Sequence, residues 1–354
     1  MTTMKHAAVA IAAVLLATAA RPGPAFAQQG APGRAAIEAI NAEYERDLAK
    51  LERQRLERLG QLASGPDKAQ ADAAFDAYFQ LAIAKGLFRE AEPLAEKVIQ
   101  GGAAPPRVAW LAHLVNTIAE ADRGRYEESL ESLATAVQAR RAAGGDRAAG
   151  LPVAMRAALV DAYYQRLVQD NQVEVARKAM RLIADNAQAP PVRDLAARRL
   201  KQLDLVGRPA PPIAGPDVDG RPVKADDLKG DVVLVVFWAT WCVPSGQEVP
   251  WLAKAYATYR DRGFRIVGVN VDTLQEEAPD PGAARPNVRR FLLDYNIPWP
   301  TLINGQGDQD FARAFGVSEI PSNVLIGRDG KVARLDVKGS QLEKAVAEAL
   351  DRRP

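Results

Sequence analysis

The sequence predicts an α-helical N-terminal domain, built as an array of helix pairs, followed by an α/β C-terminal domain around a central mixed sheet. Three observations predict it. From about Gln28 to Leu205, Ala, Leu, Glu and Arg predominate and apolar residues recur every three or four positions. The stretch Val206-Gly207-Arg208-Pro209-Ala210-Pro211-Pro212 then breaks that pattern, because proline removes the amide donor and fixes φ. Beyond it, short strand-like segments alternate with helical ones, which is how a sheet covered by helices reads.

Ahead of both domains, Lys5 is followed by an apolar run from Ala7 to Ala20 and by Ala25-Phe26-Ala27, which has the small-x-small form of a signal-peptidase site. Residues 1–27 are therefore expected to be a signal peptide, with 28–205 the helical domain and 206–354 the α/β domain. The apolar run is shorter than the roughly 20 residues that span a bilayer as a helix, and no later stretch is apolar enough. The mature chain is expected in the periplasm or secreted, with no membrane span.

Of 46 basic residues two lie in the signal peptide, leaving 44 against 44 acidic ones. Such a balance gives no bulk attraction to nucleic acid or anionic lipid. One cysteine, Cys242, and one histidine after cleavage, His113, exclude a Cys/His zinc site and an internal disulfide. No cofactor or metal is expected. His113 lies in an alanine-rich helical stretch and reads as a packing residue.

In the helical half, a long charged helix is expected from Arg34 to about Ala63, with Ile37, Ile40, Tyr44, Leu48, Leu51, Leu56 and Leu59 along one stripe. Three helix pairs follow, turning near Gly86, Gly124 and Asn171. Their apolar stripes run Phe88, Ala91, Leu94, Val98; Tyr126, Leu130, Leu133, Val137; and Val173, Ala176, Met180, Ile183. Gly86-Leu87-Phe88-Arg89-Glu90-Ala91, echoed at Gly124-Arg125-Tyr126-Glu127-Glu128-Ser129, resembles a degenerate tetratricopeptide-type array. Stacked pairs of this kind either hold a peptide on the concave side or serve as a spacer.

In the C-terminal half, strands are expected at about 231–238, 264–271, 299–303, 322–327 and 331–336, and helices at about 244–262, 286–295, 308–315 and 340–351. Asp219-Gly220 and Asp329-Gly330 mark tight turns. Val232 to Phe237 is apolar without alternation, as an interior strand requires. Cys242 follows that strand at the start of the next helix, where free N–H groups and the macrodipole favour a thiolate.

The segment Trp241-Cys242-Val243-Pro244-Ser245-Gly246-Gln247-Glu248-Val249-Pro250 resembles the thioredoxin superfamily, and within it the TlpA-like redoxins with their W-C-x-P-C-x-x-E-x-P motif. Every marked position is present except the second cysteine, which is Ser245. Gly316-Val317-Ser318-Glu319-Ile320-Pro321 looks like the family's cis-proline loop, and the resemblance covers about residues 206–354. It implies a thioredoxin-like fold, with Cys242 as nucleophile and Trp241, Pro244, Ile320 and Pro321 as the platform for an extended substrate. Glu248 matches the family's proton-handling glutamate, whereas the buried aspartate common in thioredoxins is replaced by Val236.

The serine changes the expected chemistry. A dithiol enzyme uses its second thiol to release the trapped mixed disulfide, which Ser245 cannot do, though its hydroxyl could donate to the Cys242 thiolate. The reading is then a monothiol oxidoreductase acting on protein disulfides or thiols of the cell envelope and on small thiols. The alternative is a redox-inactive binding module in which the helical array holds a peptide or protein partner. A peroxide reductase is disfavoured, since Ala239 stands where peroxiredoxins place threonine.

Overall fold

The computed structural model describes residues 32–145, 150–274 and 280–352, and the expected signal peptide lies outside them. Among the described residues no helix is long and apolar enough to cross a membrane. The chain gathers into two compact units. One comprises the residues up to Tyr163 with Leu182–Arg193; the other comprises Tyr164–Arg181 with Asp194 onward. Helices give way to mixed elements after Leu203, and the second unit also contains helical residues that precede that change.

Eight described helices precede the sheet: α1 (Pro32–Ala63), α2 (Lys68–Lys85), α3 (Phe88–Gly101), α4 (Pro106–Asp122), α5 (Tyr126–Ala142), α6 (Val153–Gln169), α7 (Val173–Asn186) and α8 (Pro190–Leu203). The three expected turns share one mechanism. Gly86, Gly124 and Asn171 all take positive φ, at 67°, 76° and 59°. At each, the next residue's N–H reaches back five positions: Leu87 to the Ala82 carbonyl, Arg125 to Glu120 and Gln172 to Leu167, all at 2.7–2.9 Å. That backward bond satisfies a carbonyl which the helix end leaves open, and it needs the left-handed residue that glycine or asparagine supplies. The stripes face inward: Phe88, Ala91 and Val98 are buried, as are Ala176, Met180 and Ile183. The stripe of α1 behaves differently. Leu56 is buried, but Ile37, Ile40, Tyr44 and Leu51 are 59–65% exposed.

In the second unit a five-stranded mixed sheet has the order β5-β4-β3-β6-β7, built from β3 (Val232–Trp238), β4 (Phe264–Asn270), β5 (Thr301–Ile303), β6 (Ser322–Ile326) and β7 (Val332–Leu335). β3, β4 and β5 run parallel, while β6 and β7 pair antiparallel. All seven residues of β3 are buried, which requires cover on both faces. On one face Leu234 and Val236 join a core with α9 (Val243–Tyr259), α10 (Pro281–Asp294) and α12 (Ser340–Asp351). On the other, Phe237 meets Phe315, just past the short α11 (Phe311–Ala314), with ring centroids 5.5 Å apart. A two-stranded hairpin not expected from the sequence, β1 (Gly215–Pro216) with β2 (Pro222–Val223), flanks the Asp219-Gly220 turn. There the Asp217 carboxylate accepts from the N–H groups of Asp219 and Arg221. Helix α10 begins at Pro281 and not near 286, because the Asp280 side chain caps Gly282 and Ala283 and proline suits the first helical position.

Candidate active site

The site lies where β3 ends. Cys242 is the N-cap of α9; Pro244 follows at a position where no helical donor is required, and the Ser245 N–H donates to the Cys242 carbonyl at 2.9 Å. The approach to the cysteine is pinned by a buried carboxylate: Asp272, after β4, accepts from the Thr240 N–H and the Thr240 hydroxyl, both at 2.8 Å. Opposite, the Ile320-Pro321 peptide is cis, and the Cys242 Sγ faces the Ile320 carbonyl oxygen at 3.9 Å. The structure thus brings Ile320 to the sulfur from 78 residues away. Cys242 is 8% exposed, beneath a rim on which Trp241 is 51% and Val243 72% exposed.

Ser245 is buried at 4% exposure and its hydroxyl makes no hydrogen bond. The expected bond to the Cys242 sulfur is not formed here, and the sulfur instead faces the Ile320 carbonyl. Glu248 is on the same helix with a mostly covered side chain, and its Oε1 lies 3.2 Å from the Lys338 ammonium. Burial pushes the Glu248 carboxyl above its ordinary pKa; Lys338 opposes the shift and the Asp336 charge adds to it. Lys338 also donates to the Pro321 carbonyl at 3.2 Å, so one ammonium joins Glu248 to the cis-proline loop. Val236 is buried where the resemblance would place an aspartate.

Sequence reasoning missed Lys338 and Asp272. Asp272 had a usable signal, since it lies two residues past the carboxyl end of a parallel strand, where sites of α/β sheets gather. Lys338 had none, because only folding carries it to Glu248.

Residues 206–335 match the AhpC/TSA family. The thiol-disulfide oxidoreductase ResA of Bacillus subtilis (strain 168) is 31% identical over 140 residues, covering 40% of this chain and 71% of that protein. ResA of Geobacillus thermodenitrificans (strain NG80-2) is also 31% identical, over 43% of this chain and 79% of its own length. The chain belongs to the thioredoxin-like redoxin family that contains these proteins. The redoxin-matched segment holds Cys242, Ser245, Glu248, Ile320 and Pro321, whereas Lys338 and all eight helices that precede the sheet lie outside it. The thioredoxin domain of a thiol-disulfide oxidoreductase from Bacteroides vulgatus is 28% identical, covering 41% of this chain and 98% of that one, with a TM-score of 0.35.

Proposed function

We propose that this redoxin is an extracytoplasmic thiol-disulfide oxidoreductase of single-thiol type. The carrying observation is Cys242 at the start of α9, facing the Ile320 carbonyl, with serine at the position of the second thiol. In the proposed reaction the Cys242 thiolate attacks one sulfur of a disulfide, a Cys242–substrate disulfide forms, and the other substrate sulfur leaves as a thiolate. Ser245 has no thiol with which to resolve that intermediate. An external thiolate attacks the substrate sulfur, a new external disulfide forms and the Cys242 thiolate is regenerated.

Ile320 and Pro321 offer the platform, with Trp241 and Pro244 on the exposed rim. Glu248, raised by burial, takes up the thiol proton. The signal peptide expected at residues 1–27 supports chemistry outside the cytoplasm, on disulfides and thiols of envelope proteins and on small thiols. The test is incubation of the mature chain with glutathione disulfide followed by intact-mass measurement. One glutathione adduct is expected on the protein and none on Cys242→Ser. The small exposure of the thiol favours a second reading, a redox-inactive binding module. Failure of the folded wild type to form any adduct would decide for it.

A further inference from the structure

Tyr164, Arg199, Gln202, Ser322 and Asp336 form a closed polar cluster within the second unit, each at 3% exposure or less. Ser322 Oγ donates to Asp336 Oδ1 at 2.6 Å and accepts from Gln202 Nε2 at 3.3 Å. Gln202 Oε1 accepts from the Tyr164 hydroxyl and from Arg199 Nη1, each at 3.1 Å. Arg199 completes the ring: its Nη1 lies 3.6 Å from Asp336 Oδ2, and its guanidinium stacks 4.5 Å from the centre of the Tyr164 ring.

The cluster has one end on the redox site. Ser322 directly follows Pro321, and Asp336 comes two residues before Lys338, which holds both the Pro321 carbonyl and Glu248. Asp336 takes a left-handed φ of 48°, and its carboxylate also accepts from the Asn323 N–H, so the chain on either side is set by what holds that side chain. Helix α8 follows the cis-proline loop on its outer side as well. Arg198 Nε donates to Ser318 Oγ at 3.2 Å, and a side-chain carbon on Gly316 would stand 3.6 Å from the Gln202 Cα.

A buried Arg-Asp pair is weak as a source of stability, since desolvation cancels much of the attraction, but it fixes position strongly. Arg199 and Gln202 lie outside the segment matched to the redoxin family, and their contacts end on Asp336 and on Ser322, the residue that follows Pro321. We propose that Arg199 and Gln202 are positioning residues of the redox site, holding the Ile320-Pro321 platform opposite Cys242 by fixing Ser322 and Asp336. The proposal rests on the redox reading above. It makes helical residues part of the machinery that presents a disulfide substrate in extended form.

The test compares two reagents on the mature full-length chain. Iodoacetamide needs only the thiol, whereas an extended cysteine peptide in mixed disulfide with thionitrobenzoate needs the platform too. For Gln202→Met and Arg199→Met, peptide capture is expected to slow roughly tenfold, the scale set by small misplacements of a substrate, while iodoacetamide alkylation changes less than about twofold. Arg199→Lys should restore part of the loss. Arg199→Met leaves Asp336 buried without its charge partner and can fail to fold; Gln202→Met leaves no charge behind and then carries the comparison alone. Unchanged peptide capture in folded variants, or equal slowing of both reagents, overturns the proposal. A wild type that reacts with iodoacetamide but captures no disulfide overturns the redox reading first and this inference with it.

Discussion

Ser245 buries a hydroxyl that bonds to nothing, so replacing it with sulfur sacrifices no hydrogen bond. Ser245→Cys is therefore expected to fold and to gain dithiol reductase activity in an insulin-reduction assay, with the new thiol resolving the Cys242 adduct. An inert, folded variant would show that more than the resolving thiol separates this site from a dithiol one. Glu248 predicts a pH effect. Because its carboxyl is raised, the folded state binds a proton that the unfolded state has already released once pH exceeds the ordinary glutamate value. Stability from this group is full below the unfolded pKa and is lost as pH rises through the folded one. Thermal melts of the wild type should fall across that window, and Glu248→Gln should remove that part of the slope. The residues of the motif and the cis-proline loop were legible because each segment resembles the redoxin family's. Lys338 and Asp272 were not, since each acts on a residue that only the fold makes its neighbour.

At the scale of elements, the three helix-pair turns depend on residues in the left-handed region. At Gly124 an added side-chain carbon meets only Tyr126, at 3.8 Å, so the cost of Gly124→Ala is conformational and not steric. About 1 kcal/mol of destabilisation is expected, measured by urea denaturation. The expected strands and most helices were legible from apolar runs and turn residues. The start of α10 was not, because Pro286 reads as a helix start while the capping carboxylate of Asp280 opens the helix further upstream. The turn of the β1–β2 hairpin was legible in Asp219-Gly220, but its two-residue strands are too short to be placed from sequence. The α1 stripe shows the converse: periodicity marked a helix correctly, yet four of its apolar side chains remain exposed. A hydrophobic stripe says which face is apolar, not whether anything in the chain covers it.

At the scale of the molecule, the composition break near Pro209 divides element types but not packing, since Tyr164–Arg181 and Asp194–Leu205 belong to the same unit as the sheet. That grouping was invisible in the sequence because contacts far apart along the chain, such as Arg199 with Asp336, have no periodic signature. A fragment starting at 206 strips Asp336 of Arg199 and Ser322 of Gln202. It also uncovers core residues that those helices bury, so it should be less stable than one starting at 153, as read by chemical denaturation. If one thiol captures disulfides that only another molecule can release, single-turnover release must depend on an added thiol. The Cys242 mixed disulfide with a chromogenic peptide is isolated, and its decay is followed against added glutathione. A decay rate proportional to glutathione and vanishing without it is the expected result. Release at zero glutathione, or failure to form the mixed disulfide at all, would contradict the account.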